Sequence, residues 1–88
     1  MNIYIIKTKG LQDTVVFAES YDQAADIFVT QYMAVRDSAP GEFAVSRLRP
    51  SVTNRDHRLL NDLRGLGIPG VGQCDENGVW TIEPPEAG

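Results

Sequence analysis

At 88 residues, with 42% apolar residues and a formal net charge of −4, the chain has room for one modest core and excludes a multidomain assembly. A single cysteine, Cys74, excludes an internal disulfide framework and a cysteine-based zinc cluster. The opening MNIYIIKTKG has no basic leader, and its apolar run is too short for a signal peptide or a membrane span, so a cytoplasmic protein with no membrane partner is expected.

In chain order, Ile3, Tyr4, Ile5 and Ile6 are apolar at every position, which predicts a strand covered on both faces. Residues 8–13 form a loop with Gly10 at its turn. The β-branched and aromatic run at 14–18 then completes an antiparallel hairpin. Residues 20–36 predict an amphipathic helix. Ser20 and Gln23 have the spacing of a capping box, in which Gln23 reaches back to Ser20. Asp22 suits the positive end of the helix dipole and Arg36 the negative end. Tyr21, Ala24, Phe28, Tyr32 and Val35 recur every three or four residues, with Ala25, Ile27 and Met33 widening the apolar stripe. Pro40 and Gly41 end the helix. Residues 42–48 alternate, with Phe43 and Val45 on one face and Glu42 and Ser46 on the other, the pattern of a half-exposed strand. The fold class that follows is α+β, a small two-layer ββαβ sandwich.

Pro50 breaks the chain, and Thr53 predicts the start of a short second helix with Asp56 as its capping partner. Leu59, Leu60 and Leu63 form its apolar stripe, and Gly65 is its expected C-cap. After the glycine-rich stretch 66–72, apolar runs at 71–74 and 79–82 flank Asp75-Glu76-Asn77-Gly78, which predicts a C-terminal β-hairpin. A single domain over 1–83 and a frayed tail over 84–88 are expected.

Residues 65–70 spell G-x-G-x-x-G, but the motif follows a helix pattern and opens none, so no nucleotide cofactor is expected. His57 adjoins Asp56, yet adjacent helical residues point apart, and an exposed histidine outside catalysis is expected. No serine lies in a nucleophile-elbow context, and Cys74 has no basic neighbour, so no catalytic residue is assigned and Cys74 is read as a small half-buried side chain. One histidine with scattered carboxylates offers no metal-ligand spacing.

The strongest surface signal is charge. Residues 43–66 hold five arginines against two acids, a balance of +3, while the rest holds three cations against ten acids, a balance of −7. Arg47, Arg49, Arg55, Arg58 and Arg64 are therefore the candidate partner-binding residues, against the plain alternative of a solvated face. The short turn at 50–53 is expected to bring Arg47, Arg49, Arg55 and Arg58 near one another. Such a set could grip a carboxylate-rich protein surface or phosphates. The acidic remainder repels nucleic acid, and no aromatic lies between Phe43 and Trp80 to stack on bases. A non-catalytic module that binds a protein partner is thus expected, with a nucleic-acid accessory protein using 47–64 as the alternative.

The segments IYIIK, VVFAES, SYDQAADIF and EFAVSRL resemble in layout the small acidic proteins of phages and mobile elements, anti-CRISPR proteins among them. The resemblance covers residues 1–48 and implies an inhibitor that acts by contact with a host complex. It carries over no functional residue.

Overall fold

The four successive apolar residues near the N-terminus lie in an interior strand of a five-stranded sheet, where both faces are covered. In the computed structural model, which describes residues 1–84, the elements run β1 (Asn2–Thr8), β2 (Thr14–Ala18), α1 (Tyr21–Arg36), β3 (Phe43–Leu48), α2 (Arg55–Arg64), β4 (Gly70–Cys74) and β5 (Trp80–Glu83). All pairings are antiparallel and the strand order is β3-β1-β2-β4-β5. This is the expected α+β fold, with the C-terminal hairpin joined to the main sheet through β2 and β4. Of the expected tail, residues 85–88 lie outside the described residues. Among the described residues no helix is long and apolar enough to cross a membrane.

Alternation along the strands sorts the core into two clusters. Tyr4, Ile6, Val16, Ala18 and Val71 meet Ala24, Ile27 and Phe28 of α1, with Phe43 and Val45 at the margin. Ile3, Val15 and Phe17 point the other way and meet Leu60 of α2, with Leu63, Trp80 and Ile82 beside them. The second helix therefore lies on the face opposite the first. A period of two sends neighbouring strand residues to opposite faces, so each cluster takes alternate members of the same strands.

Local chemistry explains the boundaries, with three departures from expectation. Ser20 caps α1, its Oγ accepting from the Gln23 amide at 3.1 Å, but the Gln23 side chain reaches the Glu19 amide rather than that of Ser20. The N-cap of α2 is Asn54, not Thr53: its Oδ1 accepts from the His57 amide at 3.1 Å. Thr53 instead belongs to the preceding turn, where its hydroxyl lies 2.9 Å from that of Ser51. On α1, Tyr21, Met33 and Val35 are exposed: the sheet buries Ala24, Ile27 and Phe28, and Tyr21 meets it only edge-on through the Tyr4 ring, with centroids 4.9 Å apart.

The last glycine of the G-x-G-x-x-G run, Gly70, and Gly72 just beyond it have a packing role. Gly70 and Gly72 are strand residues of β4. A Cβ on Gly72 would stand 3.0 Å from the Phe17 ring and 3.1 Å from the Val15 side chain, and one on Gly70 would run into the Glu83 carbonyl. Their absent side chains let β4 fit between β2 and β5.

Candidate functional site

The segment between β3 and α2 is held by its own side chains. The Ser51 amide donates to His57 Nδ1 at 3.0 Å, and the Asn54 amide to the Ser51 carbonyl at 3.3 Å. Because Nδ1 accepts, the proton of the neutral imidazole sits on Nε2. His57 is half-buried rather than exposed, since this turn folds over it. The turn fixes the direction in which α2 leaves the sheet edge, and hence where its arginines stand.

Three hollows surround α2. The first, of about 300 Å³, lies beside Pro50, Val52, Arg58, Asp62 and Arg64. The second, of about 390 Å³, lies between α2 and the β4–β5 turn and is floored by Leu59, Leu63, Leu66, Val79 and Trp80, with Arg55 and Asp62 at its rim. The third, of about 400 Å³, opens between the start of α2 and the sheet, where Lys7, Asp13, Arg47, Asp56 and His57 surround Ile5, Val15 and Leu60.

The five candidate arginines are thus distributed, not gathered. Arg58 and Arg64 share the first hollow, Arg55 borders the second, and Arg47 borders the third. The physical reason is parity and helical phase. Arg47 pairs with Tyr4 across β1 and β3, and so leaves the strand on the α1 side with Phe43 and Val45. Arg55 and Arg58 rise from α2 on the other side. Arg49 is exposed just past the end of β3.

Two of these arginines have defined neighbours. The Arg55 guanidinium lies against Gly78, its Nη1 within 3.3 Å of where a Cβ would stand, so it packs over the hairpin turn. Its contact with Asp56, at 4.0 Å, is between exposed groups and adds little. Arg64 hydrogen-bonds the Asn61 side chain one turn back. The turn under Arg55 is built by Asp75, whose carboxylate accepts from the Asn77 and Val79 amides at 2.9 Å each, with Gly78 at a φ of 80°.

Sequence reasoning missed the apolar half of this surface. Val52 is 83% exposed, Leu66 62%, Val79 54% and Ile68 43%. The signal was present in the loops: Leu66 and Ile68 are branched apolar residues in a glycine-rich connection, where polar residues are the norm. Trp80 links the second and third hollows, and its indole Nε1 is buried with no hydrogen-bond partner among the described residues. Cys74 pairs with Trp80 but is exposed rather than half-buried, because it stands at the far end of the hairpin. Among the described residues no three His, Cys, Asp or Glu side chains come together at metal-ligand spacing. Set against family models, curated proteins and solved structures, the chain matches none of them.

Proposed function

We propose that the protein is a small non-catalytic binding module that covers an acidic surface of a partner protein with the face built around α2. The observation that supports this is the mixture on that face. Val52 stands exposed beside Arg58 and Arg64, and Leu66 and Val79 beside Arg55, on a chain whose residues outside 43–66 carry a balance of −7. Exposed apolar residues grouped with arginine are the composition of an interface centre, and a solvated surface has no need of them. An apolar side chain of the partner seats between Leu59, Leu63, Leu66, Val79 and Trp80. Carboxylates around it meet Arg55, Arg58 and Arg64, while Arg47, which leaves β3 on the α1 side, stands outside this contact. The resemblance of residues 1–48 to phage and mobile-element proteins suggests the setting: a cytoplasmic inhibitor that blocks a host complex by contact.

The test is to isolate the partner by affinity capture from the native host, purify it and titrate it against variants. Leu66→Asp, and Arg55→Ala with Arg58→Ala, should leave the melt within about 0.5 kcal/mol of wild type, since the altered side chains are exposed. Each should weaken binding by about 30-fold, the equivalent of roughly 2 kcal/mol at an interface centre. Unchanged affinity with an unchanged melt would return the face to a solvated surface. Retention of generic duplex or single-stranded nucleic acid at physiological salt, falling steeply as salt rises, would replace this reading by the nucleic-acid one.

A further inference from the structure

The two edges of the sheet differ in how they are protected. β5 has four residues and runs into Pro84, which has no amide hydrogen to offer a neighbouring strand. β3 has six residues, pairs with β1 in unbroken register from Leu48 opposite Ile3 to Phe43 opposite Thr8, and contains no proline and no bulge. Its only charge is Arg47, and the exposed residues Ala44 and Ser46 are too small to fend off another backbone. An open edge of this kind presents a row of unpaired amides and carbonyls ready to take a further strand.

We infer that the β3 edge binds the β3 edge of a second copy of this chain, antiparallel, so that two five-stranded sheets join into one. The two-fold axis of such a pair stands normal to the sheet and keeps the α1 side of both copies on the same side. Only residues of the same face can then oppose each other, which restricts the register to a few choices. With Val45 on the axis, Val45 faces its own copy, and Phe43 faces Arg47 of the second copy on either side of it. On the other face Ala44 meets Ser46. This register sets a β-branched pair between two aromatic–guanidinium pairs and opposes no like charges. Moving the axis to Ser46 would instead set Arg47 against Val45 and lose both aromatic partners of Arg47. The complementarity of β3 with itself is what selects a second copy over a strand of another protein.

The register predicts which engineered cysteines can meet. Residues directly opposed across antiparallel strands have Cα atoms about 4.5–5.5 Å apart, within the reach of a disulfide, whereas diagonal neighbours are about 7–8 Å apart. In a Cys74→Ser background, which removes the exposed native thiol, Ala44→Cys and Ser46→Cys are prepared separately and then mixed. Both positions are exposed, so the fold tolerates the changes. Under mild oxidation the mixture should give disulfide-linked dimers on non-reducing gels while each variant alone stays monomeric, and Val45→Cys alone should cross-link to itself. The Cys74→Ser protein, by sedimentation, should show twice the monomer mass at high concentration and dissociate on dilution. A monomeric mass up to about 1 mM would overturn the inference, since that bounds the affinity below a useful level. So would cross-linking of either exposed variant alone as readily as of the mixture, or a dimer in which none of the three positions cross-links.

Discussion

The two faces of the sheet are built to different standards. On one side α1, with 16 residues, buries Tyr4, Ile6, Val16 and Ala18 beneath Ala24, Ile27 and Phe28, and the Phe28 ring packs at a tilt against Phe43 with centroids 4.9 Å apart. On the other side α2, with 10 residues, buries only Leu60 of its own, and its neighbours Leu63, Trp80 and Ile82 stay half-covered. The first face buries more of its apolar residues, with one hollow of about 370 Å³ beside Phe28, Tyr32, Val35 and Val71, while the second is bordered by three hollows. The orphaned Trp80 indole nitrogen, the exposed apolar residues Val52, Leu66 and Val79, and three of the five arginines all belong to the second. A small domain has too little chain to close both faces equally well. Here stability concentrates under the long helix, and the short helix carries the unusual surface.

The sharpest test of that contrast is Phe28→Ala. Phe28 is buried against Tyr32 and Phe43 in the larger core cluster, and its loss should cost about 3–5 kcal/mol in a denaturant melt. A loss below about 1 kcal/mol would mean that the α1 face is not the stable one. Leu60→Ala removes the one fully buried side chain of α2. On a partly open face the surroundings can relax, and the loss should fall at the low end of the range for such changes, about 2–3 kcal/mol. Should Leu60→Ala cost more than Phe28→Ala, the ranking of the faces would be reversed.

Smaller effects refine the comparison. Ser20→Ala deprives the Gln23 amide of its capping partner and should cost about 1 kcal/mol, read from the same melts. Trp80→Phe should have the least effect. A buried donor left unpaired carries a penalty of about 1–3 kcal/mol, and phenylalanine removes that donor while giving up some apolar contact. The expected result is a protein between unchanged and about 1 kcal/mol more stable. A loss above about 1 kcal/mol would show that the indole nitrogen has a partner, and that the α2 face is better satisfied than its geometry implies.

Much of this was legible from residue order alone, because the forces involved act over a few residues. The Ser20 and Gln23 pair marked the start of α1, and Phe43 with Val45 marked the inward face of β3. Asp75 to Gly78 marked the last turn, and the unbroken run Ile3 to Ile6 announced a strand covered on both sides. The cap of α2 falls one residue beyond the expected Thr53 because Thr53 and Asn54 are both good caps, and the Thr53 hydroxyl engages Ser51 while Asn54 Oδ1 accepts from the His57 amide. For the candidate site, the charge of residues 43–66 was visible, but its spatial arrangement was not.

Periodicity states which side of an element is apolar, and is silent on what covers it. That β4 docks on β2 and so carries the last hairpin into the sheet was decided by a long-range fit, in which Gly72 leaves room for Phe17 and Val15. That α2 lies opposite α1 was decided by the second set of inward residues, Ile3, Val15 and Phe17, which needed a cover of their own. Only that placement divided the arginines among separate hollows and left Leu66 and Val79 beside them in the open. Caps, turns and strand faces are settled by neighbours in the chain, whereas the surface around α2 depends on which distant segments the core brings together.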